Sequence, residues 1–331
     1  MIIIQIYKKH RFYIHIALVA GIIIIGFLFL QSYGEIKISN DSSDDKESGI
    51  SSLAGIECEN YNSRPYAVML SSDKEARPLS GIGEADMVFE MPVVENGFTR
   101  MMAIYQCGKP IELGSIRSSR MDFVPLALGL YAIYAHFGGE REVLQELNNG
   151  VIDNIDGLKY DGTIYYRKNS IPRPHNAFTS FALLSEAVKD LNYNTAGLSI
   201  SYPHEKEGKS KGAAEPTPLF SKDFEVIWKY NLENNSYFRS RMGKQEIDKN
   251  TGKQVETKNV VIMKTTWSPI NKDYIRVKTV GSGGLLVYKN GQVISGNWEK
   301  KDDESKLYFY DQNHKEIPFV SGSIWVEIDA H

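Results

Sequence analysis

A long apolar segment near the N-terminus dominates the hydropathy pattern of this chain. Phe12–Leu30 is a run of nineteen residues without a formal charge, and Lys8, Lys9 and Arg11 precede it. As a helix it would span roughly 28 Å at roughly 1.5 Å per residue, close to the hydrocarbon thickness of a bilayer. The basic residues predict a cytoplasmic N-terminus, with the bulk of the chain outside the membrane. We therefore expect residues 1–30 to be a cytoplasmic stub and transmembrane anchor; a cleaved signal peptide, which would leave a secreted protein, is the alternative.

The segment that follows, residues 31–57, is polar. It is rich in serine, asparagine, aspartate, lysine and glycine and has few apolar positions. Such a composition is typical of a flexible, solvated linker, because it offers little apolar surface to bury. We interpret it as a tether that holds the folded part of the chain away from the membrane.

In residues 58–202 the apolar positions follow two different periods. Short apolar runs predict strands, and these are Tyr66–Leu70, Asp86–Met91, Thr99–Gln106 and Tyr131–Phe137. Apolar spacings of three and four predict helices, and these are Met121–Leu130, Arg141–Leu147 and Ser180–Leu191. Strands that alternate with helices predict an α/β N-terminal domain with a partly parallel sheet.

The remainder of the chain shows a different pattern. Prolines, glycines and charges predict a linker at residues 203–221. In residues 222–331 the predicted strands are Phe224–Tyr230, Tyr237–Met242, Asn259–Met263, Tyr274–Val280, Leu285–Tyr288, Leu307–Tyr310 and Ser323–Ile328. Asn290-Gly291 between two apolar runs is typical of a type I′ hairpin turn. We predict a mostly antiparallel β (α+β) C-terminal domain.

The charge balance argues against nucleic acid as a partner. The formal net charge is −3, and removal of the first thirty residues, which carry three positive charges and no negative ones, leaves −6. Nucleic-acid binding relies on a surplus of basic side chains.

Cys58 and Cys107 lie in the part of the chain that is expected outside the membrane, where disulfides form. The sequence is compatible with a disulfide between them and with two separate buried thiols.

The strongest candidate for a functional site is the segment Arg117-Ser118-Ser119-Arg120. Ser119 and Asp122, three positions apart, resemble a capping box, which predicts a helix that starts near Arg120. The free N–H groups of a helix start favour an anion, and two arginines add bidentate contacts to a carboxylate or phosphate. In the alternative interpretation, the arginines pair internally with Glu90 or Glu95.

Two histidines and a charged segment are further candidates. His136 ends a predicted strand, where sites in α/β folds collect, and His175 lies in a proline-stiffened loop, so either is a candidate acid or base. The other candidates are Glu90 as a catalytic carboxylate, and Glu95, Arg100, Arg173 and Asn176 as ligand-binding residues. A structural role for His136, bonded to the backbone of the following turn, is equally open.

Several motifs are absent or incomplete. The Gly208-Lys209-Ser210 sequence lacks the first glycine of a P-loop, and Asp248 and Asn250 begin a calcium loop that has no later ligands. Two cysteines do not make a cysteine-based zinc site. The sequence therefore predicts no cofactor and no metal.

Motifs in both halves resemble one known family. The most specific of them are Arg64-Pro65-Tyr66-Ala67-Val68-Met69, Arg117-Ser118-Ser119-Arg120, His136-Phe137-Gly138-Gly139, Pro174-His175-Asn176 and Gly296-Asn297-Trp298. Through these motifs and their order, residues 60–328 resemble the YerB-like bacterial lipoproteins, a two-domain family of unknown function. The resemblance implies a bacterial cell-envelope protein and supplies no reaction. The chain departs from the family at Ser71-Ser72-Asp73 and at Glu246, and it lacks the cysteine of a lipobox.

These observations support two hypotheses for the function. In the first, the protein is anchored in the cell membrane and binds an anionic envelope ligand, such as a cell-wall polymer, or a partner protein through Arg117 and Arg120. In the second, it is an envelope hydrolase or transferase in which His136 or His175 is the acid or base and the arginines stabilise negative charge.

Overall fold

The computed structural model describes residues 48–95, 97–197, 200–208, 212–217, 219–221, 224–272 and 274–331. The predicted anchor Phe12–Leu30 and residues 31–47 of the predicted tether lie outside the described residues. Within the part that is described, no helix is long and apolar enough to cross a membrane. Ser48–His331 forms one compact unit.

Strands account for most of the regular structure. The strands are β1 Gly49–Ile50, β2 Glu57–Cys58, β3 Tyr66–Ser71, β4 Met87–Pro92, β5 Thr99–Tyr105, β6 Leu113–Gly114, β7 Ile133–His136, β8 Asn154–Asp156, β9 Tyr166–Arg167, β10 Ala177–Thr179, β11 His204–Glu205, β12 Val226–Asn231, β13 Ser236–Arg241, β14 Lys244–Gln245, β15 Glu256–Thr257, β16 Asn259–Thr265, β17 Trp267–Pro269, β18 Ile275–Val277, β19 Gly281–Lys289, β20 Gln292–Lys300, β21 Tyr308–Asp311, β22 Phe319–Val320 and β23 Ile324–Ala330. The α-helices of the described residues are α1 Val124–Leu128, α2 Arg141–Asn148 and α3 Phe181–Asp190.

The predicted α/β character of the N-terminal domain was only partly right, because the architecture is mostly β. The helices there are short, and Met121–Leu130 divides into a 3₁₀ turn at Met121–Phe123 followed by the five-residue α1. Pro125 occupies the first turn of α1, where its missing N–H group costs no hydrogen bond. The expectation of a partly parallel sheet was correct.

One ten-stranded mixed sheet runs through both predicted domains. Its order is β21-β20-β19-β16-β23-β4-β5-β3-β7-β8, so five strands of the C-terminal half adjoin five of the N-terminal half. The two halves meet where β23 pairs in parallel with β4. Parallel pairing also joins β3 to β7 and β7 to β8, which places the carboxyl ends of these strands at one edge.

The large sheet is buried on both faces. All residues of β3 are buried, and alternate ones contribute to two different cores: Ala67 and Met69 to one, and Val68 and Leu70 to the other. Helices α1 and α2 cover the first face, while α3 and Trp228 of β12 contribute to the second core. This explains why these strands are continuously apolar in sequence and do not alternate with polar residues.

Candidate functional site

A cluster of arginines lies at the carboxyl ends of β3 and β7. Asp73 follows the end of β3, and Glu140 follows the end of β7, so the parallel pairing of these strands brings both carboxylates to the same edge. The segment that carries Arg117 and Arg120 runs between them: Arg117 N–H donates to the Met69 carbonyl, and Ser119 N–H donates to the Gly138 carbonyl. Arg100 enters from β5, as the register partner of Ser71. We call Arg100, Arg117 and Arg120 the arginine cluster.

Asp73 is the carboxylate nearest to two of these arginines. Its Oδ2 lies 3.6 Å from Arg117 Nη2 and 4.0 Å from Arg100 Nη1, and it accepts a 2.7 Å hydrogen bond from the Ser71 hydroxyl. His175 belongs to the same group, because its Nδ1 lies 3.0 Å from Arg117 Nη1 and 3.7 Å from Asp73 Oδ2. The contacts between Asp73 and the arginines are longer than hydrogen bonds, so the carboxylate only partly satisfies the guanidinium groups.

Arg120 forms the other side of the cluster. Its Nη1 donates to a carboxylate oxygen of Glu140, and its guanidinium carbon lies 4.3 Å from the centre of the Tyr274 ring. A cation over an aromatic face gains electrostatic stabilisation from the ring. The side chains of Arg117, Asp73, His175, Arg120 and Glu140 are each 10–19% exposed, so the edge of the cluster meets solvent.

Arg100 is the buried member of the cluster. Its side chain is 1% exposed, and its Nε and Nη1 have no hydrogen-bond partner among the described residues. Burial, together with the charge of Arg117, lowers the pKa of Arg100 to about 9, against the opposing effect of Asp73. Nε of Arg120 is buried without a partner as well. Buried guanidinium nitrogens are normally bonded, so these donors mark a place for an acceptor.

The structure brings some of the predicted site residues together at this edge and places others elsewhere. His175 and Arg100 join Arg117 and Arg120. Neither Glu90 nor Glu95 pairs with these arginines: Glu90 is fully buried in another network, and Glu95 is exposed. The internal pairing expected for Arg117 and Arg120 is instead made to Asp73 and Glu140.

The predicted helical start is present, as a 3₁₀ turn at Met121–Phe123 with Arg120 as its N-cap, but the predicted capping box was wrong. Ser119 caps no helix, because its hydroxyl lies 2.9 Å from the Tyr134 hydroxyl, and Arg120 occupies the N-cap position without a side-chain cap. Asp122 accepts from the Val277 N–H on the neighbouring β18. Support for an anion at this segment therefore comes from its arginine side chains and not from a helix dipole.

His136 lies in the interior of the protein. Its side chain is 0% exposed, Nδ1 lies 2.8 Å from the Gly138 carbonyl, and Nε2 lies 3.3 Å from Oδ1 of Asn154. Burial lowers its pKa below 6.5, although Asp156 opposes this. This geometry matches the structural role left open for it, since both ring nitrogens already have neighbours in the protein.

The remaining candidates bond elsewhere or are exposed. Asn176 is buried, and its Oδ1 accepts from Arg167. Ser118 donates to the Phe137 carbonyl, and Arg173 is exposed. Among the described residues, no group of histidine, cysteine, aspartate and glutamate side chains is arranged to hold a metal ion.

Sequence reasoning missed Asp73, Glu140 and Tyr274 as neighbours of the arginines. Asp73 and Glu140 each follow a strand, which was the signal that could have found them, because the ends of parallel strands meet. No local signal marks Tyr274, which is distant in sequence and reaches Arg120 through tertiary packing.

A second cluster of charges is buried near the parallel pairing of β23 with β4, where the two halves of the sheet meet. Arg239 donates to Glu90, Glu246 and Glu327, and Arg241 donates to Glu90 with N–O distances of 2.6 Å. Although burial alone would raise the pKa of Glu246, Arg241 and Arg239 lower it to about 2. This network joins residues of both halves of the chain and is consistent with a structural role for Glu90.

Cys58 and Cys107 are joined by a disulfide across 49 positions of the sequence. The bond ties the short β1–β2 hairpin to the turn after β5, where Asp86 accepts hydrogen bonds from the N–H groups of Gln106 and Cys107.

Comparisons with known proteins agree on one family. The model described as "Protein of unknown function (DUF3048) N-terminal domain" matches residues 51–194, and the model of the corresponding C-terminal domain matches residues 217–326. The chain is 30% identical over 277 residues to "Putative lipoprotein YerB" of Bacillus subtilis (strain 168), which covers 80% of this chain and 81% of that relative. The chain belongs to the DUF3048 family. The resemblance to YerB-like proteins expected from the sequence is thereby confirmed.

The fold of this DUF3048 protein is also similar to a solved structure. It matches a crystal structure of the YerB protein from Bacillus subtilis with a TM-score of 0.74 and 27% sequence identity, over 84% of this chain and 95% of that one. Both comparisons support a two-domain, mostly β architecture. The family description assigns no activity.

Proposed function

We propose that this chain is an extracytoplasmic protein of the bacterial cell envelope that binds an anionic ligand through its arginine cluster. One observation carries the proposal: Arg100 is a buried guanidinium whose Nε and Nη1 have no partner among the described residues, beside Arg117 and Arg120. Leaving such donors without an acceptor costs about 1–3 kcal/mol or more for a charged group. An anion that accepts from them removes this cost, which is a source of binding free energy.

The location follows from two separate arguments. The relative in Bacillus subtilis is named as a lipoprotein, a class of protein attached to membranes by lipid. Residues Phe12–Leu30 have the length and composition of a membrane span. We propose that this segment anchors the protein and that residues 48–331 lie outside the membrane, where Cys58 and Cys107 can be oxidised.

Ligand binding is tested with the fragment 48–331, which is one compact unit with its own cores. Muropeptides and oligomers of glycerol phosphate are titrated into it by calorimetry. We expect Arg117→Ala to weaken the binding of one of these probes at least tenfold, because a charge-assisted contact is lost. Arg117→Lys should retain part of the affinity, since it keeps the charge and loses the planar fork.

Lys189→Ala is the matched control. Lys189 is exposed on α3, away from the arginine cluster, and its removal deletes the same single positive charge. Equal affinity of wild type and Arg117→Ala would contradict the proposal. Conversion of a probe into product, abolished in His175→Ala, would favour an enzyme instead.

The anchor is tested on the full chain. After alkaline carbonate extraction we expect the full chain to stay with the membrane fraction and fragment 48–331 to remain soluble. A full chain that is shortened and released into the medium would contradict the anchor and indicate a cleaved signal peptide.

A further inference from the structure

The charges at the arginine cluster do not balance. Arg100, Arg117 and Arg120 contribute three positive charges, and the carboxylates that contact them, Asp73 and Glu140, contribute two negative ones. The cluster therefore has a surplus of one positive charge. Its side chains are 1–19% exposed, so water screens this surplus only in part.

His175 adds no charge to this balance at neutral pH. Arg117 Nη1 lies 3.0 Å from His175 Nδ1, and arginine is a donor that has no acceptor. Nδ1 must therefore be the unprotonated nitrogen, and Nε2 carries the single proton of a neutral ring. Burial and the charge of Arg117 lower the pKa of His175 below 6.5, against the opposite effects of Asp73 and Glu75.

Other charged groups near His175 lie in solvent. Glu75 is exposed on the turn after Asp73, and Arg173 is exposed two positions before His175. Charges in water are screened more strongly than those within the cluster. Tyr274, the remaining polar neighbour, presents its ring to Arg120 and contributes no formal charge.

The guanidinium nitrogens that have no hydrogen-bond partner among the described residues also indicate the geometry of the ligand. Nε and Nη1 of Arg100 point in different directions, because Cδ lies between them, and Nε of Arg120 is a third donor without a partner among the described residues. Separate donors of this kind can be satisfied by different oxygen atoms of one acceptor, and a carboxylate and a phosphodiester each carry two such oxygens.

We infer that the arginine cluster accepts a singly charged group whose negative charge is shared by two oxygen atoms, a carboxylate or a phosphodiester, in preference to a phosphate dianion. This inference rests on the function proposed above. A single negative charge neutralises the surplus, whereas a dianion leaves one uncompensated negative charge next to Asp73 and Glu140. Uncompensated charge in a half-buried place is costly.

The test compares three small anions at pH 8: acetate, dimethyl phosphate and methyl phosphate. The first two carry one charge, and methyl phosphate is a dianion, because the second pKa of a phosphate monoester is about 6. Binding to fragment 48–331 is followed by the NMR signals of the arginine Nε–H groups. We expect acetate or dimethyl phosphate to bind at least tenfold more tightly than methyl phosphate. If acetate binds more tightly than dimethyl phosphate, the anionic group of the ligand is a carboxylate; if dimethyl phosphate binds more tightly, it is a phosphodiester.

A second measurement separates the charge of the ligand from that of His175. At pH 5.5 methyl phosphate is mostly a monoanion, so its affinity should approach that of dimethyl phosphate. His175→Asn keeps an acceptor at the position of Nδ1 and cannot be protonated. In this variant too, the affinity of methyl phosphate at pH 5.5 is expected to approach that of dimethyl phosphate.

Tighter binding of methyl phosphate than of both other anions at pH 8 would overturn the inference. If that binding were still lost in Arg117→Ala, the proposed anion-binding function would survive. If none of the three anions shifts a cluster signal, the inference is overturned as well, and the muropeptide and glycerol-phosphate titrations with Arg117→Ala decide separately on the proposed function.

Discussion

Glu90 and Glu327 are register partners on two neighbouring parallel strands, β4 and β23, so two buried carboxylates lie side by side where the two halves of the chain meet. Arg239 donates to both, and Trp228 Nε1 donates to Glu327 over 2.9 Å. Burial, together with the charge of Glu90, raises the pKa of Glu327 to about 7, against the opposing charge of Arg239. The joint therefore contains a carboxyl group that titrates near neutral pH.

The first prediction concerns the pH dependence of stability. Below about pH 4.5 Glu327 is protonated in both the folded and the unfolded chain, and between about pH 4.5 and 7 the folded chain binds the proton more tightly. The free energy of unfolding contributed by this group therefore falls as the pH rises through this window, by up to about 1.4 kcal/mol per pH unit. We expect the stability of Glu327→Gln, relative to wild type, to increase from pH 4.5 to pH 8 in urea unfolding.

Glu304→Gln, at an exposed site in the same half of the chain, is the control. Its free energy of unfolding should differ from that of wild type by the same amount at every pH. If the difference in free energy of unfolding between Glu327→Gln and wild type were also independent of pH, the prediction would be refuted.

A second prediction is that Glu90 is essential for stability and does not act in catalysis. Glu90→Gln leaves Arg239 and Arg241 buried with one carboxylate fewer, and breaking a buried ion pair in this way costs about 3–5 kcal/mol. The midpoint of urea unfolding should fall accordingly, with little change in the denaturant dependence. Glu95→Gln, at an exposed position a few residues away, should leave the midpoint within error of wild type; a shift of equal size in both variants would argue against this role.

Thirdly, the disulfide is expected to contribute substantially to stability. Cys58 and Cys107 close a loop across 49 positions, and loop-closure entropy corresponds to about 4 kcal/mol for this length. The double variant Cys58→Ser with Cys107→Ser should lose most of that free energy of unfolding. Dithiothreitol should lower the stability of wild type and leave the double variant unchanged, and an equal stability of the two proteins in the absence of reductant would contradict the prediction.

The fourth prediction addresses Asp73 as an internal competitor of the anion. Asp73→Asn raises the surplus charge of the arginine cluster by one, so an anionic probe that binds there should bind about tenfold more tightly, measured by the same calorimetric titration. Glu75→Gln makes the same change of charge two positions away at an exposed site, where screening keeps the effect small. Similar affinities of these two variants would show that Asp73 does not face the ligand.

Local elements were largely predictable because their signals are local. The strands β3 and β5 and the helix α3, whose N-cap Ser180 accepts from the Leu183 N–H, lie within a residue or two of the predicted bounds. Asn290 and Gly291 both have positive φ, as the predicted type I′ turn requires. Strand β20 was not predicted, because Gly296 and Asn297 interrupt its apolar pattern and its pairing with β19 overrides that local preference.

The candidate site was harder to predict from the sequence. The presence of an arginine-rich segment was visible, but its neighbours depend on which strands pair in parallel and where those strands end. Glu90 is an example of the same difficulty: its position in an apolar run was visible, while its partners Arg239 and Arg241 come from the other half of the chain.

The sequence by itself determined the apolar N-terminal segment, several of the longer strands, the tight turn at Asn290-Gly291 and the family, because each of these depends on a short stretch of residues or on an ordered set of motifs. Only the tertiary structure decided that one sheet crosses both halves, that Glu90 lies in a buried network, and that Asp73 lies near Arg100 and Arg117 while Glu140 pairs with Arg120. The physical reason is that a charge is paired through space, and the residues that come within a few ångströms of it are chosen by strand pairing and packing across long sequence separations.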